Sequence, residues 1–207
     1  MDLFLIRHGQ SIGNTVTYDM ADGELTGLGR SQAEKVLHGM KDAGVTHILS
    51  SPLIRAIETA QPLARATALP IRVWTETFEV RSKGAYRGPC ESEMKRMYPE
   101  IRFEDEVEPE GWYCSGDEDE EKAHGRALRI LERLRREYSG EERVALFSHS
   151  GFNRRLLLAA LGLEHRSGVR FLQSNGTMYW LNFSDNGVEL RYIGDFDPPF
   201  GRADRHS

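Results

Sequence analysis

Four consecutive apolar residues, Leu3-Phe4-Leu5-Ile6, stand between the acidic Asp2 and the triplet Arg7-His8-Gly9. A short apolar run bounded by charge and glycine predicts a strand buried on both faces. The pattern returns at His47–Ser50, at 71–74 and at 144–147. Between these runs the period changes to that of helices. Thr26 predicts the cap of a helix over 27–43, with Ala33, Val36, Leu37 and Met40 at helical spacing and Gly44 as its stop. Ser51-Pro52 predicts the N-cap and first residue of a helix over 52–67, whose Leu53, Ile57, Ala60 and Leu63 share one face. Strongly amphipathic spacing of Ala127, Leu131, Leu134 and Tyr138 predicts a helix over 123–138, and another follows over 152–161. Residues 177–183 and 188–193, joined by Ser184-Asp185-Asn186-Gly187, read as a terminal hairpin. Residues 10–25 and the stretch from Thr75 onward read as loops, and the tail from Asp197 as loosely ordered. Strands alternating with helices predict an α/β fold, a three-layer α/β/α sandwich around a mostly parallel sheet.

A chain of 207 residues fits one domain, with a small insertion at approximately 80–122. That stretch departs in charge. From Glu104 to Lys122, ten of nineteen residues are acidic, and Arg81, Lys83, Arg87, Lys95, Arg96 and Arg102 lie just upstream. Such runs read first as solvated faces; the sharper reading is a lid over the crevice at the carboxyl ends of the strands. A net charge of -5 gives no support for nucleic acid or a membrane surface as partner. No apolar stretch has the length of a membrane span, and a first strand starting at Asp2 or Leu3 leaves no room for a removable signal. The expected compartment is therefore the cytoplasm. Cys90 and Cys114 fit neither a CxxC nor a zinc spacing and read as reduced thiols, and the Asn175-Gly176-Thr177 and Asn182-Phe183-Ser184 sequons as chance matches.

Polar functional groups gather just after strands or at helix starts in four places: Arg7-His8-Gly9 with Asn14, Ser51-Pro52 with Arg55, Glu79, and Ser148-His149-Ser150-Gly151. Two histidines, two arginines and a carboxyl group make a kit for phosphoryl transfer. Arg7, Arg55 and His149 can surround the phosphoryl oxygens, whose charge must be stabilised in the transition state. His8 can attack phosphorus in line to form a phosphohistidine, splitting one hard step into two. Glu79 can hand a proton to the leaving alkoxide. Asn14, Ser150 and Gly151 are the candidate supporting contacts to substrate.

These segments together resemble the histidine phosphatase superfamily, which includes the cofactor-dependent phosphoglycerate mutases. Arg7-His8-Gly9-Gln10-Ser11 with Asn14 is similar to the family's opening signature, in which the histidine is the phospho-acceptor. Leu25-Thr26-Gly27-Leu28-Gly29 with Gln32-Ala33, Ser51-Pro52-Leu53 with Arg55-Ala56 and Thr59-Ala60, and Ser148-His149-Ser150-Gly151 match three later segments in order. There are departures. The family usually has glycines four and eight residues after the acid; here Gly84 and Gly88 lie five and nine after Glu79, which leaves Glu76 as the nearest substitute. Gln10 stands where the mutases usually have Glu, and Ser150 where glycine is frequent.

Other motif readings are weaker. Gly27-Leu28-Gly29 lacks the third glycine and the preceding strand of a dinucleotide fingerprint, there is no GxSxG or Walker A, and a metal at His8, His149 and Glu79 would be repelled by two arginines. His38, His47, His124, His165 and His206 fall outside the kit and read as surface or packing residues, and Trp74, Trp112 and Trp180 read as packing residues, with a place lining a lid as the alternative for Trp112. The expected function is a metal-independent phosphatase, with no cofactor, acting on a small phosphorylated metabolite through phosphohistidine at His8. The alternatives are a phosphoglycerate-type mutase, kept open by Gly84-Ala85-Tyr86-Arg87-Gly88, and a non-catalytic phospholigand-binding or regulatory module. A homodimer is left open.

Overall fold

Alternate residues of the apolar runs are claimed by opposite faces of one sheet. The computed structural model describes residues 1–165 and 168–196, and the tail expected from Asp197 lies outside them. Its main sheet is built from β1 (Asp2–Arg7), β2 (His47–Ser50), β3 (Ile71–Val73), β5 (Ile101–Phe103), β7 (Arg143–Ser148), β8 (Met178–Ser184) and β9 (Gly187–Gly194). A separate two-stranded ribbon pairs β4 (Tyr86–Arg87) with β6 (Tyr113–Cys114). The helices are α1 (Gly27–Met40), α2 (Ile54–Thr67), α3 (Glu91–Met97), α4 (Glu120–Glu137) and α5 (Ser150–Ala160). Strand order is β5-β3-β2-β7-β1-β8-β9; the first five run parallel and the terminal hairpin antiparallel.

Leu3, Leu5, Leu49, Val144 and Leu146 pack with Ala127, Ile130, Leu131 and Leu134 of α4 and Phe152, Leu156 and Leu157 of α5. Phe4, Ile6, Ile48, Ile71, Val73, Ala145 and Phe147 pack on the other face with Val36 and Met40 of α1 and Ile57, Ala60 and Leu63 of α2. The result is the three-layer α/β/α sandwich with a mostly parallel sheet. Burying each of these large side chains stabilises the fold by roughly 1.5–3 kcal/mol.

Two local expectations change. The second helix starts at Ile54 rather than Pro52, and Ser51 does not cap it: its N-cap residue, Leu53, has no side-chain cap, and the free N–H of Ile54 is taken by both carboxylate oxygens of Asp22 at 3.0 Å. The segment expected as a single insertion over 80–122 is divided. Ile101–Phe103 pairs in register with β3 and extends the main sheet, while Met94, Tyr98 and Ile101 are buried in the α1/α2 core. Only the β4/β6 ribbon and its flanks remain over the strand ends. There Leu53, Trp112 and Cys114 form a small apolar cluster joined by Phe78, Tyr86 and Val107. Gly88 permits this packing, because a Cβ there would lie 2.0 Å from Trp112 Nε1. Cys90 and Cys114 are both free thiols.

The acidic run is largely neutralised. Glu104 pairs with Arg72, Asp105 with Arg133, Glu108 with Arg87, Asp117 with Lys122, Glu118 with Arg126 and Glu120 with Arg155. Among the described residues, no helix is long and apolar enough to cross a membrane.

Candidate active site

Parallel register brings the chemistry together. Arg7 lies opposite Ser148, Ser50 opposite Phe147, and Val73 opposite Ser50, so adjacent strands release His8, His149, Ser51 and Trp74 at one level. Ligands of open parallel sheets bind at this edge. The turn after β1 is drawn tight against α1. A Cβ on Gly9 would sit 2.5 Å from Gly29 O, and one on Gly29 would sit 2.0 Å from Gln10 O. Both positions need glycine for that approach.

His8 is 3% exposed and its tautomer follows from its two partners. Nδ1 lies 2.6 Å from Gly9 O, which only accepts, so Nδ1 carries the proton. Nε2 is 3.2 Å from Arg55 Nε, which only donates, so Nε2 carries a lone pair. Burial first, then the positive charges of Arg55 and Arg7, hold the His8 pKa well below the usual imidazole range, outweighing its bond to Gly9. The site therefore keeps a neutral, oriented imidazole with a lone pair at Nε2.

His149 lies beside it, with ring centroids 5.1 Å apart. It is fully buried, and burial followed by Arg55, His8, Arg7 and Arg126 also holds its pKa well below the usual range. Nε2 is 2.8 Å from Ser51 Oγ, while Nδ1 has no partner. Ser51 is thus a site residue, although Ser-Pro before a helix reads as a cap.

Arg55 is fixed from behind. Its Nη1 donates to Ala21 O at 3.1 Å and lies 3.4 Å from Asp22 Oδ1, and Thr59 Oγ1 joins Arg55 O to Gly9 N. Burial pushes the Asp22 carboxyl up to about 6, against the opposing pull of Arg55. Arg7 is anchored through Nη1 to Gln173 O at 2.5 Å, whereas its buried Nε has no partner. Gln173 is 4% exposed, accepts from Asn153 Nδ2 and donates to Leu5 O and Thr177 O. Asp22 and Gln173 left no signal in the sequence, since each sits in a loop away from the histidines along the chain.

Glu79 lies on the N-terminus of α5. Its Oε1 accepts from Val80 N at 2.8 Å and Phe152 N at 3.0 Å, and Oε2 accepts from Gly151 N at 3.2 Å. Gly151, expected among the contacts to substrate, here gives its N–H to Glu79; a Cβ at that position would sit 2.5 Å from Oε1. Ser150 is the first residue of α5. Asn14 is exposed, and its Oδ1 accepts from Ser11 N and Asn175 Nδ2. Glu76 points elsewhere: it is half-exposed and pairs with Arg129 at 2.7 Å. The residue inserted before Gly84 leaves Glu79 in the site.

A cavity of about 220 Å³ adjoins Arg55 and Glu79, with Leu53, Phe78, Tyr86 and Trp112 among its walls. Two further lining residues, Arg81 of the ribbon flank and Asp19 of the β1–α1 loop, pair at 2.7 Å. Among the described residues, no group of three His, Cys, Asp or Glu is arranged to hold a metal ion. A buried Arg55, a partly buried Arg7 with its Nε unpartnered and an unpartnered Nδ1 on His149, beside an oriented imidazole, suit a tetrahedral anion carrying a transferable group.

The family model of the histidine phosphatase superfamily (branch 1) matches residues 3–195. A probable phosphoglycerate mutase GpmB of Proteus mirabilis (strain HI4320) is 38% identical over 68 residues, 32% of this chain and 32% of that protein. The chain thus matches about a third of the length of that curated relative. Phosphoglycerate mutase-like protein 4 of Arabidopsis thaliana is 29% identical over 164 residues, covering 75% of this chain and 69% of that one. Among solved structures, a mycobacterial glucosyl-3-phosphoglycerate phosphatase shares the fold with a TM-score of 0.71 and 23% identity, over 94% of this chain and 98% of that one.

Proposed function

The chain belongs to the histidine phosphatase superfamily, and on that premise we propose that it is a phosphatase hydrolysing a small phosphomonoester through a phosphohistidine at His8. The observation that carries the proposal is the tautomer of His8, whose Nε2 lone pair is held by Arg55 while Gly9 O takes the Nδ1 proton. In the first step Nε2 attacks phosphorus and the bond to the leaving oxygen breaks. Glu79 gives that oxygen its proton. In the second step water attacks phosphorus, the P–N bond breaks, Glu79 takes the water's proton, and inorganic phosphate leaves. Arg7, Arg55 and His149 stabilise the phosphoryl oxygens throughout.

A phosphoglycerate-type mutase would use the same kit but must shield the phosphoenzyme from water. Relatives carrying that name keep the reading in view. Two features favour hydrolysis. Gln10 replaces the acid usual in mutases, and its Oε1 accepts from Thr26 Oγ1 at the start of α1. Arg81, a cation available near the cavity for a substrate carboxylate, is already paired with Asp19. With EDTA present throughout, the purified chain is expected to release inorganic phosphate from p-nitrophenyl phosphate and from phosphorylated metabolites, since the arginines supply the positive charge. Conversion of 3- to 2-phosphoglycerate on priming with a bisphosphoglycerate, at rates above phosphate release, would establish the mutase instead. Activity lost to EDTA and restored by Mg²⁺ or Zn²⁺ would replace the mechanism, and a chain that neither hydrolyses nor isomerises would be a binding module.

Acidification tests the electrostatics. A nucleophile whose pKa is depressed stays neutral as pH falls through the usual imidazole value of 6.5. The neighbouring Asp22 protonates as pH falls through about 6 and so removes the negative partner of Arg55. The burst rate of p-nitrophenol release in rapid quench should accordingly hold its plateau from pH 8 down to about pH 6. A decline beginning at pH 7 would show that His8 is not held neutral.

A further inference from the structure

We propose that Arg126, locked by Glu118, is a positioning residue for proton transfer, setting the place of Glu79 without itself touching substrate; this rests on the acid role given to Glu79 above. Arg126 is 3% exposed, although it belongs to a helix whose other arginines are mostly at the surface. Each arm of its guanidinium is used. Nε and Nη2 donate to the two oxygens of Glu118 at 2.7 and 2.5 Å, and Nη1 donates to Glu76 O at 2.6 Å and Phe78 O at 2.9 Å. Those two carbonyls belong to the short segment that ends in Glu79. The guanidinium also lies over two rings, 3.8 Å from the centroid of Phe78 and 4.5 Å from that of Phe152. Phe152 is the residue whose N–H binds Glu79 Oε1. One planar cation therefore fixes both neighbours of the acid, the residue before it in the chain and the residue across from it on α5.

The consequence is geometric. Glu79 sits on a loop, and a loop carboxyl must be held within a fraction of an ångström of the leaving oxygen to share in bond cleavage. A fork that bonds two carbonyls and a carboxylate at once can do this; a lysine ammonium, with the same charge and no planar fork, cannot. This also gives part of the acidic run a purpose, because Glu118 holds the guanidinium in plane.

The test compares an alkyl phosphate, which needs a proton on departure, with p-nitrophenyl phosphate, which barely does. Arg126→Lys and Glu118→Gln should each lower the alkyl-to-aryl ratio of kcat/KM by about 10-fold or more, as a misplaced acid would. Adding Arg126→Lys to Glu79→Gln should leave the ratio where Glu79→Gln alone puts it, the two acting as one unit. Melting curves and burst amplitude verify that each variant is folded; should Arg126→Lys not fold, Glu118→Gln decides. Equal slowing of both substrates in folded single variants would make Arg126 a core arginine and overturn the proposal, as would losses that add to Glu79→Gln. A ratio that Glu79→Gln itself leaves unmoved would remove the acid role, and this proposal with it.

Discussion

Replacing His8 by alanine is expected to lower kcat by roughly 10⁴-fold or more and to abolish acid-labile, base-stable labelling of the protein by substrate phosphate. The expectation follows from what else the site contains. A nucleophile must be neutral, carry a lone pair and face the phosphoryl group. Arg7 and Arg55 are cations, and Glu79 is occupied by three backbone N–H groups. His149 is buried and neutral too, but with Nε2 on a Ser51 hydroxyl that can donate or accept and Nδ1 without a partner, neither of its nitrogens is fixed as the one that carries the lone pair. In His8 a carbonyl that only accepts fixes the proton on Nδ1 and so directs the lone pair to Nε2, where it faces Arg55 Nε. Rapid-quench labelling with a radioactive phosphomonoester, followed by acid and base treatment, measures the effect directly. Near wild-type turnover or a persisting label in His8→Ala would remove His8 from the role and make His149 the next candidate.

Most of the frame was legible because burial on two faces leaves a plain mark. The runs Leu3-Phe4-Leu5-Ile6 and Val144-Ala145-Leu146-Phe147 divide by alternation between two cores, and the polar residues directly after them become the site. The edge of the sheet left no such mark. Ile101-Arg102-Phe103 is three residues long, with an exposed arginine at its centre, and it lies inside a charged stretch. Its strand character comes from pairing with β3, a tertiary cause that local pattern does not carry. Ser51 departs from its sequence pattern for a related reason. Ser-Pro ahead of an amphipathic run has the form of a cap, yet the Ser51 hydroxyl bonds His149 and accepts only from Leu53 N–H, ahead of the helix, while Asp22, 32 residues before Ile54, caps the helix instead. Arg126 did leave a signal. It falls three residues after Ala123 and four before Ile130, on the apolar face of α4, where an arginine needs a buried partner.

The carboxyl group is the member of the kit whose work depends most on the leaving group. An alkoxide is a poor leaving group and needs its proton as the bond to phosphorus breaks, whereas p-nitrophenolate departs nearly unaided. Glu79→Gln keeps the size of the side chain and one carbonyl oxygen for the N–H groups of Val80 and Phe152, while its amide nitrogen faces Gly151 N–H, so a melting curve and burst amplitude check that the loop retains its place. What it loses is the ability to give and take a proton. Alkyl phosphates are therefore expected to slow by roughly 10²–10⁴-fold, and p-nitrophenyl phosphate by far less in its first, bond-breaking step. The phosphoenzyme should also persist longer with either substrate, because the same carboxylate is needed to activate water against the P–N bond. Steady-state rates on a series of leaving groups, with quench-flow trapping of the labelled protein, separate the two steps. Equal slowing of alkyl and aryl substrates with no accumulation of phosphoenzyme would mean that Glu79 holds structure rather than a proton. Glu76, committed to Arg129 at the surface, would then have to leave that ion pair to serve in its place.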